Sequence, residues 1–343
     1  MNFMYRIVVV FCGSLLLGAC SLLGQGPQAE TESVASTQEL QLSERERFQA
    51  DQLFFEGLKE KHLDNDSKAI SLLQESLKID TENHAAKHEL SKLYLKRGQL
   101  DQAVFQAKAA CRMQPDNKWY LLQLAEILNA QGQYAQEAGV YEELVALEPQ
   151  NPEWYFNLAN AYIQSQDWKG ALKAYDALEE QAGLQEDISF QKQKLYLQLG
   201  QFDNAVNEIQ ALIDSRPTEA RYYGMMAELY MMNENPSQAL SYIDRLLEKD
   251  PGNGLGQLSK AMYLQELGRF DESYQYLKFA MQNPEVEEAK KAEILMSFYD
   301  LSANSMERKT QAYELCRAVL DLHPKNPRFH EIYGKLNYRD HKN

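Results

Sequence analysis

His84 and His88 stand four residues apart, the spacing at which two imidazoles share a helix face and hold a zinc-like ion. Such a site needs a third donor. The stretch around the pair, HAAKHELSKLYLKRGQLDQAVFQAKAACRMQPDN from His84 to Asn117, supplies none close by. His84 also falls at the expected start of a helix, so the pair reads as solvated or partly packed and no metal is expected. The four cysteines, Cys12, Cys20, Cys111 and Cys316, form no CxxC or CxxxC pair, which leaves zinc and redox-motif chemistry without a basis. Cys111 and Cys316 read as small buried hydrophobes. The carboxylate pairs Glu142–Glu143 and Glu179–Glu180 read as the wet faces of helices. GxSxG, HExxH, P-loop and GxGxxG patterns are all missing. No catalytic residue, cofactor or small-molecule substrate is therefore expected. A formal charge of -15 argues against nucleic acid, because no basic stripe exists to replace phosphate counterions, and against electrostatic docking on anionic headgroups.

The elements that must position these residues follow one period. Moving 34 residues along the chain recovers the same chemistry. Ala103 has counterparts in Ala69, Ala171, Ala205 and Ala239; Gly98 in Gly132, Gly200 and Gly268; Pro115 in Pro149, Pro217 and Pro251. Tyr94 has Tyr162, Tyr196 and Tyr230, with Leu128 and Leu264 between them. Each unit reads as two antiparallel helices, A and B. Leu90, Ser91 and Tyr94 mark one face of helix A at helical spacing. Gly98 supplies a left-handed C-cap, Asp101 is a candidate N-cap for helix B, and Ala103 is small where A and B cross. Pro115 ends helix B or opens the next connection.

This pattern resembles the tetratricopeptide repeat family over about 290 of the 343 residues. The resemblance implies an all-α solenoid of about eight helix-turn-helix repeats, a right-handed superhelix closed by a C-terminal helix. The repeats are placed at about 50–83, 84–117, 118–151, 152–185, 186–219, 220–253, 254–284 and 285–326, with a cap at 327–343, all within a solenoid of 45–343. Five units depart from the pattern; the fourth lacks the closing proline and the seventh uses Ser273 in place of Ala. The third has Glu137 in the small-residue column and Ala138 one place late, which puts helix packing there in doubt. The fifth carries Lys192 and Gln193 where the family prefers Leu and a small residue, which suggests a looser helix A. The eighth is stretched by about five residues, judged from Ala312 and Pro324. Phe329, Ile332, Tyr333 and Leu336 supply the apolar face of the cap, since the end of a solenoid must be covered.

The family presents helix A residues on a concave surface. With the Ala103 column as position 20, positions 2, 5, 9, 12 and 13 face the groove. In repeats three to seven they include Trp119 and Leu122, Phe156, Asn160 and Ile163, Phe190 and Lys194, Met231 and Met232, then Leu258 and Met262. These residues form the expected partner-binding groove, unusually apolar for an acidic chain and adaptable through its methionines. The Lys/Asn/Arg clamp that some relatives use for C-terminal carboxylates is not recognisable.

The N-terminus carries an address. Arg6 precedes an apolar run from Ile7 to Ala19, suited to a signal peptide and short for a membrane span. Leu17-Gly18-Ala19-Cys20 resembles the lipobox of bacterial lipoproteins. That resemblance implies removal of residues 1–19, lipidation of Cys20 and stable anchorage by several acyl chains. Ser21 in place of aspartate resembles the sorting pattern for the outer membrane. Residues 20–44, rich in Gln, Ser, Thr and Glu, read as a disordered tether. The expected protein is a lipid-anchored adaptor of the bacterial envelope, facing the periplasm and binding segments of other envelope proteins in assembly, secretion or cell-wall machinery. The alternative is a glycan-binding or hydrolytic protein with its site in the groove.

Overall fold

The computed structural model describes residues 42–301 and 306–342. The first repeat pairs α1 (Glu44–His62) with α2 (Asp66–Ile79), the second α3 (His84–Lys96) with α4 (Leu100–Met113), and the third α5 (Lys118–Ala130) with α6 (Tyr134–Leu147). The fourth holds α7 (Pro152–Gln164) and α8 (Trp168–Ala182), the fifth α9 (Glu186–Gln198) and α10 (Phe202–Ser215), and the sixth α11 (Ala220–Met232) and α12 (Pro236–Lys249). The seventh holds α13 (Gly254–Glu266) and α14 (Phe270–Gln282), the eighth α15 (Glu288–Leu301) and α16 (Met306–Leu322), and α17 (Pro327–Lys342) closes the stack. Every element among the described residues is helical. Helices pack mainly on their neighbours in sequence, except towards the C-terminus, where α14 packs on α16 in preference to α15. Cys20 and the signal segment lie outside the described residues.

Helix A starts at an asparagine in the second, third, fourth and seventh repeats, and at Ser43, Gln185 and Glu219 in the first, fifth and sixth. Asn83, Asn117, Asn151 and Asn253 each accept a backbone N–H of the first turn, at 2.9, 3.1, 3.1 and 2.7 Å. These caps stabilise a helix by about 1 kcal/mol. Their 34-residue spacing stands in the sequence beside the proline column. Helix α1 starts earlier than the first repeat was placed, at a capping box in which Ser43 and Glu46 satisfy each other's backbone N–H groups. Asp101 is not the cap of α4. Gln99 holds that position without a side-chain bond, and Asp101 lies in the first turn, accepting from Gln131 Nε2 at 3.0 Å.

Helix A ends at a residue with positive φ. Gly98, Gly132, Gly200 and Gly268 lie between +68° and +70°. The following N–H then reaches back across the turn, as Gln99 N does to Tyr94 O at 2.9 Å. The same column holds Asp64, Gln166 and Glu234 in the other units, at φ 57°, 62° and 54°. A side chain there strains the backbone.

The crossing point of A and B is dry. Ala69, Ala103, Ala171, Ala205 and Ala239 are fully buried. Ser273 fits that column because its hydroxyl donates to Ala261 O at 2.7 Å. Glu137 fits because Asn129 Nδ2 donates to both its carboxylate oxygens at 3.1 Å, and burial pushes its carboxyl above the ordinary range despite those bonds. The cap behaves as expected: Phe329, Ile332 and Leu336 are buried and Tyr333 packs beside them.

The fifth repeat corrects its expectation. Lys192 of α9 is buried at the centre of a charge cluster. Its ammonium lies 2.9 Å from Asp176 and 2.7 Å from Glu179 of α8, and 2.9 Å from Glu208 of α10. Burial works against the ammonium, yet the three carboxylates outweigh it and hold its pKa above the ordinary lysine value. Helix A there is tied by charge where other units use leucine. Glu179, read as a wet-face residue, is one of the three partners; Glu180 beside it is exposed. Two repeats on, Lys260 of α13 repeats the device, 2.6 Å from Asp244 and 2.8 Å from the hydroxyl of Tyr276.

Candidate functional site

The A helices place the expected groove residues at different depths. Helix packing turns roughly half of an amphipathic helix toward its neighbours, so residues one or two positions apart part company. Trp119 of α5 is 66% exposed and Met232 of α11 is 70% exposed. Phe156 of α7, Met262 of α13 and Lys194 of α9 are also exposed, and Asn160 is half-buried. Leu122, Ile163, Phe190 and Met231 pack partly against the core. Leu258 is buried in the core with Ala261, Leu277 and Phe298 and meets solvent only at the cleft that it lines.

The wet face is therefore less uniformly apolar than its sequence columns suggest. Position 5 runs Leu122, Phe156, Phe190, Gly224, Leu258, and all but Phe156 are partly or fully buried. Position 9 is more open and mixed: Glu126, Asn160, Lys194, Glu228, Met262. Position 2 is exposed throughout repeats three to seven and also mixed: Trp119, Glu153, Asp187, Arg221, Leu255. The surface consists of large apolar points set among polar and charged groups. Phe156 rests edge-on against Tyr175, centroids 6.4 Å apart, which holds its ring in place. The Lys118 ammonium stands 5.6 Å from the Trp119 ring and also pairs with Glu148 at 2.6 Å.

At the seventh and eighth repeats the same surface opens into a cleft of about 170 Å³. Leu258, Met262, Leu277 and Phe298 line it, with Lys290 and Glu293 at the edge and 3.0 Å apart. The walls supply shape and one ion pair, with no nucleophile activated by a base.

His84 and His88 are both engaged with Tyr120. The His84 Nδ1 lies 2.8 Å from the Tyr120 hydroxyl, and the His88 ring stacks on the Tyr120 ring with centroids 4.4 Å apart. Burial, then the Lys92 ammonium, push His88 down to about 4. Among the described residues no three His, Cys, Asp or Glu side chains gather as metal ligands. Cys111 and Cys316 lie on the B helices α4 and α16, and burial pushes both thiols up to about 12, so they act as inert hydrophobes. Among the described residues no helix is long and apolar enough to cross a membrane.

Models of the tetratricopeptide repeat family match residues 88–152, 138–193 and 196–263. The chain is an all-α tetratricopeptide repeat solenoid. No curated protein matches it. Among solved structures, a chain of the Naa15/Naa10 complex bound to HypK-THB aligns over 84% of this chain and 49% of its own length, with 14% identity and a TM-score of 0.54. A tetratricopeptide repeat protein from Parabacteroides merdae covers 71% of this chain and 96% of its own, with 17% identity and a TM-score of 0.39. A further relative is YrrB, described as a TPR protein with an unusual peptide-binding site. It covers 54% and 95%, with 16% identity and a TM-score of 0.36. At these identities the likeness is one of fold. A tetratricopeptide solenoid offers an extended surface for other proteins, which is the general use of repeat architectures.

Proposed function

We propose that this chain is a membrane-anchored, non-enzymatic adaptor that holds peptide segments of other cell-envelope proteins on its A-helix surface. The observation that carries the reading is the exposure of Trp119, Phe156, Met232 and Met262 on the A helices of one solenoid. Large exposed apolar side chains set among polar groups are the anatomy of a protein interface, with aromatic and methionine anchors enriched. The lipobox-like Leu17–Cys20 stretch supports anchorage through acyl chains on Cys20, and Ser21 supports the outer membrane, with the solenoid in the periplasm. Assembly, secretion and cell-wall machineries all need such a holder.

Crosslinking in intact cells, followed by purification and mass spectrometry, tests the reading. The native chain is compared with a Trp119→Glu, Met232→Glu variant. A defined set of envelope proteins crosslinks to the native chain and is lost from the variant. A set retained in both removes the A-helix surface as the binding site. In parallel, Cys20→Ser releases the protein from the membrane fraction; unchanged fractionation removes the lipid anchor.

A further inference from the structure

The two ends of the solenoid differ. Terminal units need a polar outer face to stay soluble. At the C-terminal end α17 meets that need, with Arg328, Glu331 and Lys335 exposed. At the N-terminal end α1 does not. It packs on α2, burying Ala50 and Gly57, while Phe48 is 71% and Phe55 64% exposed. The two rings are seven residues apart and share one side of the helix. Gln52 and Lys59 continue the same line at helical spacing, and Arg45 and Leu63 flank it, all four outside the core. Phe54 turns the other way, into the core, with its ring 5.4 Å from that of Phe55.

We propose that this outer face of α1 lies against the lipid surface and fixes how the solenoid stands on the membrane. The proposal rests on the anchor at Cys20. Three observations select lipid over a protein. First, 22 residues separate Cys20 from Ser43, and as a random chain such a length reaches roughly 25 Å, so α1 stays beside the bilayer that holds the acyl chains. Second, the apolar stripe is small. Two phenylalanines cover about 300–500 Å², short of the roughly 600–800 Å² that each partner contributes to a stable protein interface. For a group already tethered, a weak contact suffices, because the effective concentration is set by the tether. Third, Arg45 and Lys59 stand on the line of the rings, placed to reach headgroup phosphates, while Asp51 and Glu56 lie to its sides. The intervening Ser21–Gln41 stretch holds few large apolar residues and offers little to cover the rings.

The test uses the full chain, purified from membranes and reconstituted into phosphatidylethanolamine–phosphatidylglycerol vesicles, half of them prepared with acyl chains brominated near the headgroup. A Phe55→Trp variant reports contact; the native chain, with its three tryptophans, is the background. Flotation is measured on the same samples. The expected result is flotation of both proteins and quenching of the variant's added emission in brominated vesicles, as for a ring at the headgroup boundary. Adding Phe48→Glu to the reporter removes that quenching while flotation persists. Flotation with the added emission unquenched overturns the docking and leaves the anchor standing. Unquenched emission together with crosslinked dimers assigns the face to a second copy of the chain. Failure to float overturns the anchor and the docking together.

Discussion

Replacing Lys192 by methionine tests the reading of the fifth repeat as a charge-tied unit. The side chain keeps its length and loses its charge, so packing changes little. Glu179 and Glu208 are then left mostly buried with no cation, while Asp176 is about half exposed and matters less. Breaking a buried ion pair from one side costs about 3–5 kcal/mol. The protein can limit this cost by taking up a proton. Burial already pushes Glu208 above its ordinary value of 4.5. Neutralising such a carboxyl at pH 7 costs about 1.36 kcal/mol for each of the 2.5 pH units above 4.5, or about 3.4 kcal/mol. At pH 5 the same step costs about 0.7 kcal/mol. The variant is therefore expected to lose about 3 kcal/mol at pH 7 and about 1 kcal/mol at pH 5, read from urea unfolding followed by far-UV circular dichroism. Amide exchange along α9 shows whether the loss is local, as expected for a repeat array. In the native chain the raised lysine pKa means its contribution is fully present below the ordinary value of 10.5 and fades as pH rises through the folded value. A compensated variant, Lys192→Leu with Glu179→Gln and Glu208→Ala, copies Leu158 and Ala174 of the preceding repeat and regains most of the loss. Native stability in Lys192→Met at pH 7, or a loss independent of pH, refutes the reasoning.

Two further outcomes follow from the same structure. Gln166→Gly and Glu234→Gly each remove a left-handed strain and raise stability by about 0.5–1 kcal/mol, whereas Gly98→Ala lowers it by about 1 kcal/mol although a Cβ there meets nothing within 4 Å; paired melting curves check all three. Glu137→Gln keeps one of the two hydrogen bonds from Asn129 and removes a buried charge. It stabilises the chain by about 1 kcal/mol at pH 7, and the gain shrinks as pH falls through the raised folded pKa of Glu137 toward its unfolded value, which urea titrations at several pH values resolve.

What the sequence made legible was whatever recurs in register. Ala103 and Gly98 were visible because every unit solves the same crossing and the same turn, so their counterparts mark one another. The asparagine caps at Asn83, Asn117, Asn151 and Asn253 were equally periodic, and attention to Asp101 hid them. Lys192 was harder. Its three partners come from helices on both sides of it, and a column read in isolation shows only a polar residue where leucine belongs. The signal was there, since Lys260 with Asp244 repeats Lys192 with Asp176 at twice the period. The depth of Leu258 against the exposure of Met262 was not legible. Both sit in family groove columns, and which one meets water depends on how α14 and α15 close over α13. The unpartnered rings of α1 were missed because Phe48 lies before the expected start of the first repeat.

A chain in which each helix leans mainly on its neighbours has a mechanical character that a single-core protein lacks. A pull delivered through the N-terminus meets least resistance where one repeat joins the next, as at α2 with α3, since α1 and α2 hold each other more closely. Tension is thus absorbed in a series of small, separately recoverable steps instead of one rupture, and the far repeats keep their fold while the near ones pay out slack.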